Sequence, residues 1–265
     1  MFETLTMDHS NAKQHLDRVI PSSTFKLRAY TSNGFSIWKK EAGPFIAFGF
    51  LFAVLSMVVS VVPYVGSFIN QVFISPALTA GAYIFSHKVH KKSIDAEFSD
   101  FFDGFKMAKE IILVYLLYSL ISIVFLIPFL YSVGFEIFEI WGQTEEMSEY
   151  FMNFNTNKFW FLLPVFCVGI FFFYALQFVI FFGLGPIDAL SYSAKLGMKH
   201  FFWLIIFIII VSIIMMLGLI GIIIGIFITF PIMFPMFYES FRDLTQLDSY
   251  EQTDETRDVY NSLIS

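Results

Sequence analysis

From Phe201 to Tyr238 the chain runs for thirty-eight residues without a charged side chain. Water does not solvate such a run, and a soluble core rarely accommodates one of that length. An α-helix rises about 1.5 Å per residue, so crossing a hydrocarbon layer about 30 Å thick takes roughly 20 residues. The run is long enough to cross twice. Gly218, Gly221 and Gly225 lie near its middle, where a hairpin would turn. It reads as a transmembrane hairpin with spans at about 201–217 and 221–238.

The other apolar runs repeat the plan, at about 45–62, 67–85, 111–133 and 159–183. Charged residues make up 14% of the chain, against about 25% in a soluble domain, and the mean hydropathy is +0.71. An all-α, polytopic membrane protein is expected. The net charge of −6 is distributed over separate blocks. No segment supplies the basic face that nucleic-acid binding needs, so no nucleic-acid partner is expected. Cys167, the single cysteine, lies inside an apolar run and reads as a small buried side chain. Residues 1–20 are polar and lack the apolar core of a signal peptide, which predicts an N-terminus that stays in the cytoplasm.

Lysine and arginine set the orientation of such a chain. Six precede the first span, five separate the second from the third, two separate the fourth from the fifth, and two follow the sixth. The opposite side carries only Lys158. Six transmembrane helices are therefore expected, arranged as three hairpins with both termini cytoplasmic. Pro76, Pro186 and Pro235 each precede an amphipathic stretch, at 97–109, 189–200 and 237–244, which predicts three cytoplasmic elbows. The domain reading is an N-terminal arm at 1–34, with a short helix near 11–19, a six-helix domain at 35–244, and an acidic flexible tail at 245–265.

Candidate functional residues fall into two sets. The first faces lipid or a partner. Phe35 and Trp38 precede Lys39 and Lys40 at the start of the first span, where aromatic rings suit the headgroup depth and ammonium groups suit anionic lipid. Lys88, Lys91 and Lys92, with His87 and His90, read as a basic patch facing headgroups. Phe98, Phe101, Phe102 and Phe105 recur at i, i+3, i+4 and i+7, the apolar stripe of an amphipathic helix on the membrane or under the bundle. The second set is polar groups inside spans, which are costly in hydrocarbon: Asn70, Gln71, Gln177 and Asp188. Gln177 reads as an amide bonding a neighbouring helix, and Asp188 as the cap of a helix that begins at Pro186. His87 and His90 have no third ligand, so no metal is expected. No phosphate-cradling glycine loop and no nucleophile elbow occurs, so no catalytic residue and no cofactor is expected. Gly221 and Gly225 form a small-xxx-small pair suited to internal packing or a homo-oligomer. Thirty-seven phenylalanines argue that any solute carried is apolar or amphiphilic.

Several stretches resemble a broad family of bacterial membrane proteins. They are Phe35-Ser36-Ile37-Trp38-Lys39-Lys40 leading to Gly43-Pro44-Phe45-Ile46, Pro76 with Gly81-Ala82, and Asp100-Phe101-Phe102-Asp103-Gly104-Phe105-Lys106. The chain is similar there to DUF975-like proteins and to the membrane domain attached to some glycerophosphodiester phosphodiesterases. The resemblance spans about 30–245, implies a six-helix bundle in the bacterial inner membrane, and carries no catalytic residues across. The expected function is non-enzymatic engagement of membrane lipid or a membrane-protein partner, with a small transporter of an amphiphilic molecule as the alternative.

Overall fold

The computed structural model describes residues 9–92, 96–139, 155–220 and 224–254. Every regular element among them is helical. In chain order they are α1 (His9–Val19), α2 (Leu27–Lys40), α3 (Ala42–Ser60), α4 (Val65–Ile69), α5 (Ser75–His90), α6 (Ala108–Glu139), α7 (Leu163–Phe171), α8 (Ala175–Phe182), α9 (Pro186–Lys199), α10 (Phe201–Ile220), α11 (Ile224–Thr229) and α12 (Met233–Thr245). A last helical stretch covers 247–254.

Five helical bodies are long and apolar enough to cross a membrane: Ala42–Ser60, Val65–His90, Phe98–Glu136, Thr156–Phe182 and Phe201–Leu219. They divide by burial. In Val65–His90 and Thr156–Phe182, 56% of the most apolar window is buried, whereas the other three bury only 11–22%. The two buried bodies form the centre, and α3, α6 and α10 turn apolar side chains such as Met57, Leu120, Ile123, Ile209 and Ile213 outward. Leucine and isoleucine walls of that extent are unfavourable in water and suit a hydrocarbon surround.

The central bodies are both interrupted. Between α4 and α5 the helix widens into a π segment, Asn70–Ile74, and the Ser75 hydroxyl donates to Asn70 Oδ1 at 3.1 Å. Between α7 and α8 the backbone leaves helical geometry at 172–174. Ser193 of α9 repairs that break, accepting from the Tyr174 N–H at 3.1 Å and donating to the Phe171 carbonyl at 2.9 Å. The repair needs close approach. A Cβ on Gly197 would meet the Ile170 carbonyl oxygen at 2.7 Å.

The Phe98–Phe105 stripe corrects a reading of period. Phe98–Met107 is a 3₁₀ helix, so residues three apart share a face. Phe101 and Gly104 turn inward together. Phe101 is fully buried, with Phe48 at 4.1 Å and Phe85 at 4.2 Å between ring centroids, while Phe98 and Phe102 stay exposed and Phe105 packs edge-on against Phe73. The segment docks on α5 through backbone. A Cβ on Gly81 would lie 1.9 Å from the Phe101 carbonyl oxygen, and one on Gly104 the same distance from that of Ala77.

The last apolar run bends. Residues 221–223, with Gly221 and the expected hairpin turn, lie outside the described residues. Beyond them the run continues as α11, a 3₁₀ turn Phe230–Ile232 that holds Pro231, and α12, which takes Pro235 in its first turn. The glycines in backbone contact are Gly218 and Gly225: a Cβ on Gly225 would meet the Gly218 carbonyl oxygen at 2.1 Å. The Thr229 hydroxyl, which donates to the Met215 carbonyl at 3.0 Å, fastens α11 to α10.

Candidate functional site

Two polar regions stand out, one at the charged end of the bundle and one inside it. The charged end joins segments that are far apart in sequence. α5 ends in His87, Lys88 and His90 with Lys91 as its C-cap, and α12 brings Glu239 and Arg242 alongside. Glu239 is 1% exposed and bonded to His90 Nδ1 at 3.1 Å and to Arg242 at 2.9 Å. Lys91 reaches Asp248 at 3.1 Å and Glu251 at 2.7 Å, and Arg242 also pairs with Asp248. His87 lies 3.3 Å from Glu251 and 2.9 Å from the Tyr238 hydroxyl. Burial alone would raise the Glu239 carboxyl, but the hydrogen bonds from His90 and Arg242 outweigh it and hold the group below the usual carboxylate range. Asp248 is held low in the same way by Arg242 and Lys91.

This network uses side chains the sequence assigned to separate roles. Lys88 meets the buried Asp100 at 2.6 Å and Lys91 meets two acids, so neither ammonium group is free to face headgroups. Lys92 is exposed, with φ 55° at the end of the helix. Trp38 is half-buried, and Lys39 lies over the Phe35 ring at 4.6 Å, with Phe35 stacked on Trp38. Lys39 and Lys40 are exposed. Asp188 sits outside the five apolar bodies, in the first turn of α9, and pairs with Lys13 at 2.8 Å across an exposed surface. Pro186 begins a separate helix there, which carries Asp188 in its first turn.

The N-terminal arm is tied to this end as well. Leu16 and Ala12 of α1 are buried, His15 Nε2 contacts the Thr245 carbonyl at 2.8 Å, and Lys195 bridges to Asp17 at 3.1 Å. Leu247 and Tyr250 are buried beside α1 and α8, Tyr250 through its ring against His15 and Phe182. Within 245–265, residues 255–265 lie outside the described residues.

One serine and histidine meet without a sequence signal. Ser23 Oγ is 2.9 Å from His200 Nε2. The Ser23 hydroxyl proton goes to the Ile20 carbonyl at 2.8 Å, so His200 and Lys199, at 3.3 Å, donate to its oxygen. That serine is an acceptor, not an activated nucleophile. Burial, and after it Lys199, lowers the His200 imidazole to about 4. Among the described residues no three of His, Cys, Asp and Glu are grouped to hold a metal ion.

The interior region is a partly enclosed cavity of about 280 Å³ where both interrupted bodies meet α6 and α12. Gln71 of the π segment, Tyr83 of α5, Tyr115 and Tyr118 of α6, and Gly169 and Phe172 at the second break line it. Gln71 is exposed and Tyr83 is buried, so the cavity runs from the surface into the core. Gln177 is fully buried, and its amide faces the Tyr83 hydroxyl of α5. Asn70 is half-buried and accepts from Ser75. No protein-family model, no curated protein and no solved structure matches this chain.

Proposed function

We propose that the chain is a non-enzymatic, six-span inner-membrane protein with both termini cytoplasmic, which engages lipid or a membrane-protein partner at its charged end. The observation that carries this reading is the belt where α3 and α10 begin. Phe35, Lys39 and Lys40 precede α3, while Phe202 and Trp203 stand exposed on the first turn of α10. An open groove of about 640 Å³ beside Trp203 is lined by Arg28, Ser32 and Asn33, and by Lys26, which pairs with Asp243. Aromatic rings and cations above apolar walls are what an anionic leaflet recognises. The sixth span is the apolar run at 221–238, which the 3₁₀ turn Phe230–Ile232 interrupts, and three hairpins with cytoplasmic elbows complete the arrangement. The resemblance to DUF975-like membrane proteins belongs with this reading.

The test uses protein purified in mild detergent with native lipid retained, then read for co-purifying lipid and protein. Each lysine near an anionic surface contributes about 1 kcal/mol, about fivefold in affinity. Charge reversal at Lys39 and Lys40 is expected to deplete anionic lipid strongly, with thermal stability kept. Reversal without effect, together with no lipid preference and no partner, removes the reading. A second reading, a small transporter of an amphiphilic molecule, is favoured by the interior cavity lined by Gln71, Tyr115 and Tyr118.

A further inference from the structure

We infer that the cavity between the two interrupted bodies is a binding site for a neutral single-chain amphiphile with a hydroxyl or amide head. The inference rests on the second reading and names its ligand class.

Four observations converge. The first is unpaired hydrogen-bonding capacity. The Gln71 side chain and the Tyr115 and Tyr118 hydroxyls line the space and make no hydrogen bond within the described residues. These groups open onto the slot rather than being sealed in the core, so the hydroxyl or amide head of a ligand can bond them. The second is helix discontinuity. The π segment carries Gln71 and the break at 172–174 carries Phe172 and Phe173, and both line the same space. π-bulges concentrate at functional sites, and membrane binding sites form where spanning helices are broken.

The third observation is the absence of charge. Tyrosine hydroxyls, one amide and apolar groups such as Val114, Leu176 and Met233 make up the lining, with no Asp, Glu, Lys, Arg or His. A charged head would lose its hydration with no counter-ion to replace it. The fourth is shape. Gln71 and Tyr83 are twelve residues apart on one helical body, about 18 Å along the axis. A volume of about 280 Å³ spread over that length is a slot, not a chamber. It exceeds the roughly 150 Å³ that holds benzene and falls below the usual range of drug-sized pockets. A medium-length alkyl chain with one polar end fits that form, and it reaches the slot from the bilayer.

Gly169 supplies the test. A Cβ there meets nothing closer than the Tyr118 hydroxyl at 3.8 Å, so a larger side chain enters the slot without displacing backbone. The probe is a diazirine-bearing octanol, photoactivated on the full chain in nanodiscs, with labelled residues mapped by mass spectrometry. Saturable labelling of α6 and the 169–176 segment is expected, displaced by excess octanol and not by octanoate. Gly169→Leu is expected to abolish it, and Tyr118→Phe to raise the half-saturating concentration about fivefold, the loss of one hydrogen bond. Tyr118→Phe keeps the test open if Gly169→Leu fails to fold. Non-saturable labelling spread over α3, α6 and α10 overturns the inference, as does competition by octanoate. A co-purified phospholipid that Gly169→Leu releases overturns the ligand class. Labelling as expected, without uptake of the alcohol into proteoliposomes, leaves the site standing and removes the transport reading alone.

Discussion

Glu239 shows how much a single side chain depends on its surroundings here. Its carboxylate is almost fully buried, yet His90 and Arg242 keep it ionised. Carboxyls held low in the fold add stability that is present above the unfolded carboxylate range and is lost as pH falls through the folded value. His200 works in another window. Its folded value of about 4 lies below the ordinary 6.5, so protons taken up by the unfolded chain erode stability as pH falls from 6.5 towards 4. The slope has a ceiling of about 1.4 kcal/mol per pH unit for one group. Burial lowers His15 too, which adds to the same limb. Thermal melts in detergent are expected to be flat in this respect above pH 6.5, to decline below it, and to steepen once Glu239 and Asp248 protonate. His200→Asn is expected to make the upper limb shallower, and Glu239→Gln to weaken the lower one. An unchanged upper limb in His200→Asn rejects the assignment.

At the scale of elements, winding decides which face is buried. Four phenylalanines at 98, 101, 102 and 105 share a face in an α-helix, and the sequence reading followed that period. In the 3₁₀ segment the inward row passes through Phe101 and Gly104 instead. Backbone contact with α5 favours this winding, because Gly81 and Gly104 leave no room for a side chain. Gly104→Ala forces a Cβ to 1.9 Å from a carbonyl, an overpacking that costs at least about 1–3 kcal/mol. Gly43→Ala, with open space at its Cβ, provides the control. The expected result is a markedly lower melting temperature for Gly104→Ala and little change for Gly43→Ala. Equal melting temperatures contradict the docking.

For the whole molecule, the distribution of apolar surface matters most. The two interrupted bodies are enclosed, and α3, α6 and α10 present apolar walls around them. Exposed aromatics mark both ends of those walls, Trp203 and Phe202 at the charged end, Tyr64, Phe138 and Trp160 at the other. The six-span proposal predicts that a reporter fused after Ser265 reads as cytoplasmic and that alkaline carbonate leaves the chain in the membrane fraction. An external reporter, or a chain released by carbonate, contradicts that topology. With an odd number of spans, the two termini would fall on opposite sides.

The linear sequence determined the membrane class, because charge-free runs of that length have few other solutions, and five of the expected spans coincide with long apolar helices. It also pointed to Gln71 and Gln177, since amides among apolar residues are visible by type alone. What it could not show is pairing across distance. The lysines after Ser86 and the acids after Tyr238 read separately as a basic patch and an acidic tail, yet α5 and α12 pack side by side and their charges satisfy each other. The cavity was equally hidden. Tyr83, Tyr115 and Tyr118 look like ordinary span residues until two broken helices leave a space among them. Composition and periodicity are local properties of a chain, whereas charge partners and voids exist only between segments that the fold brings together.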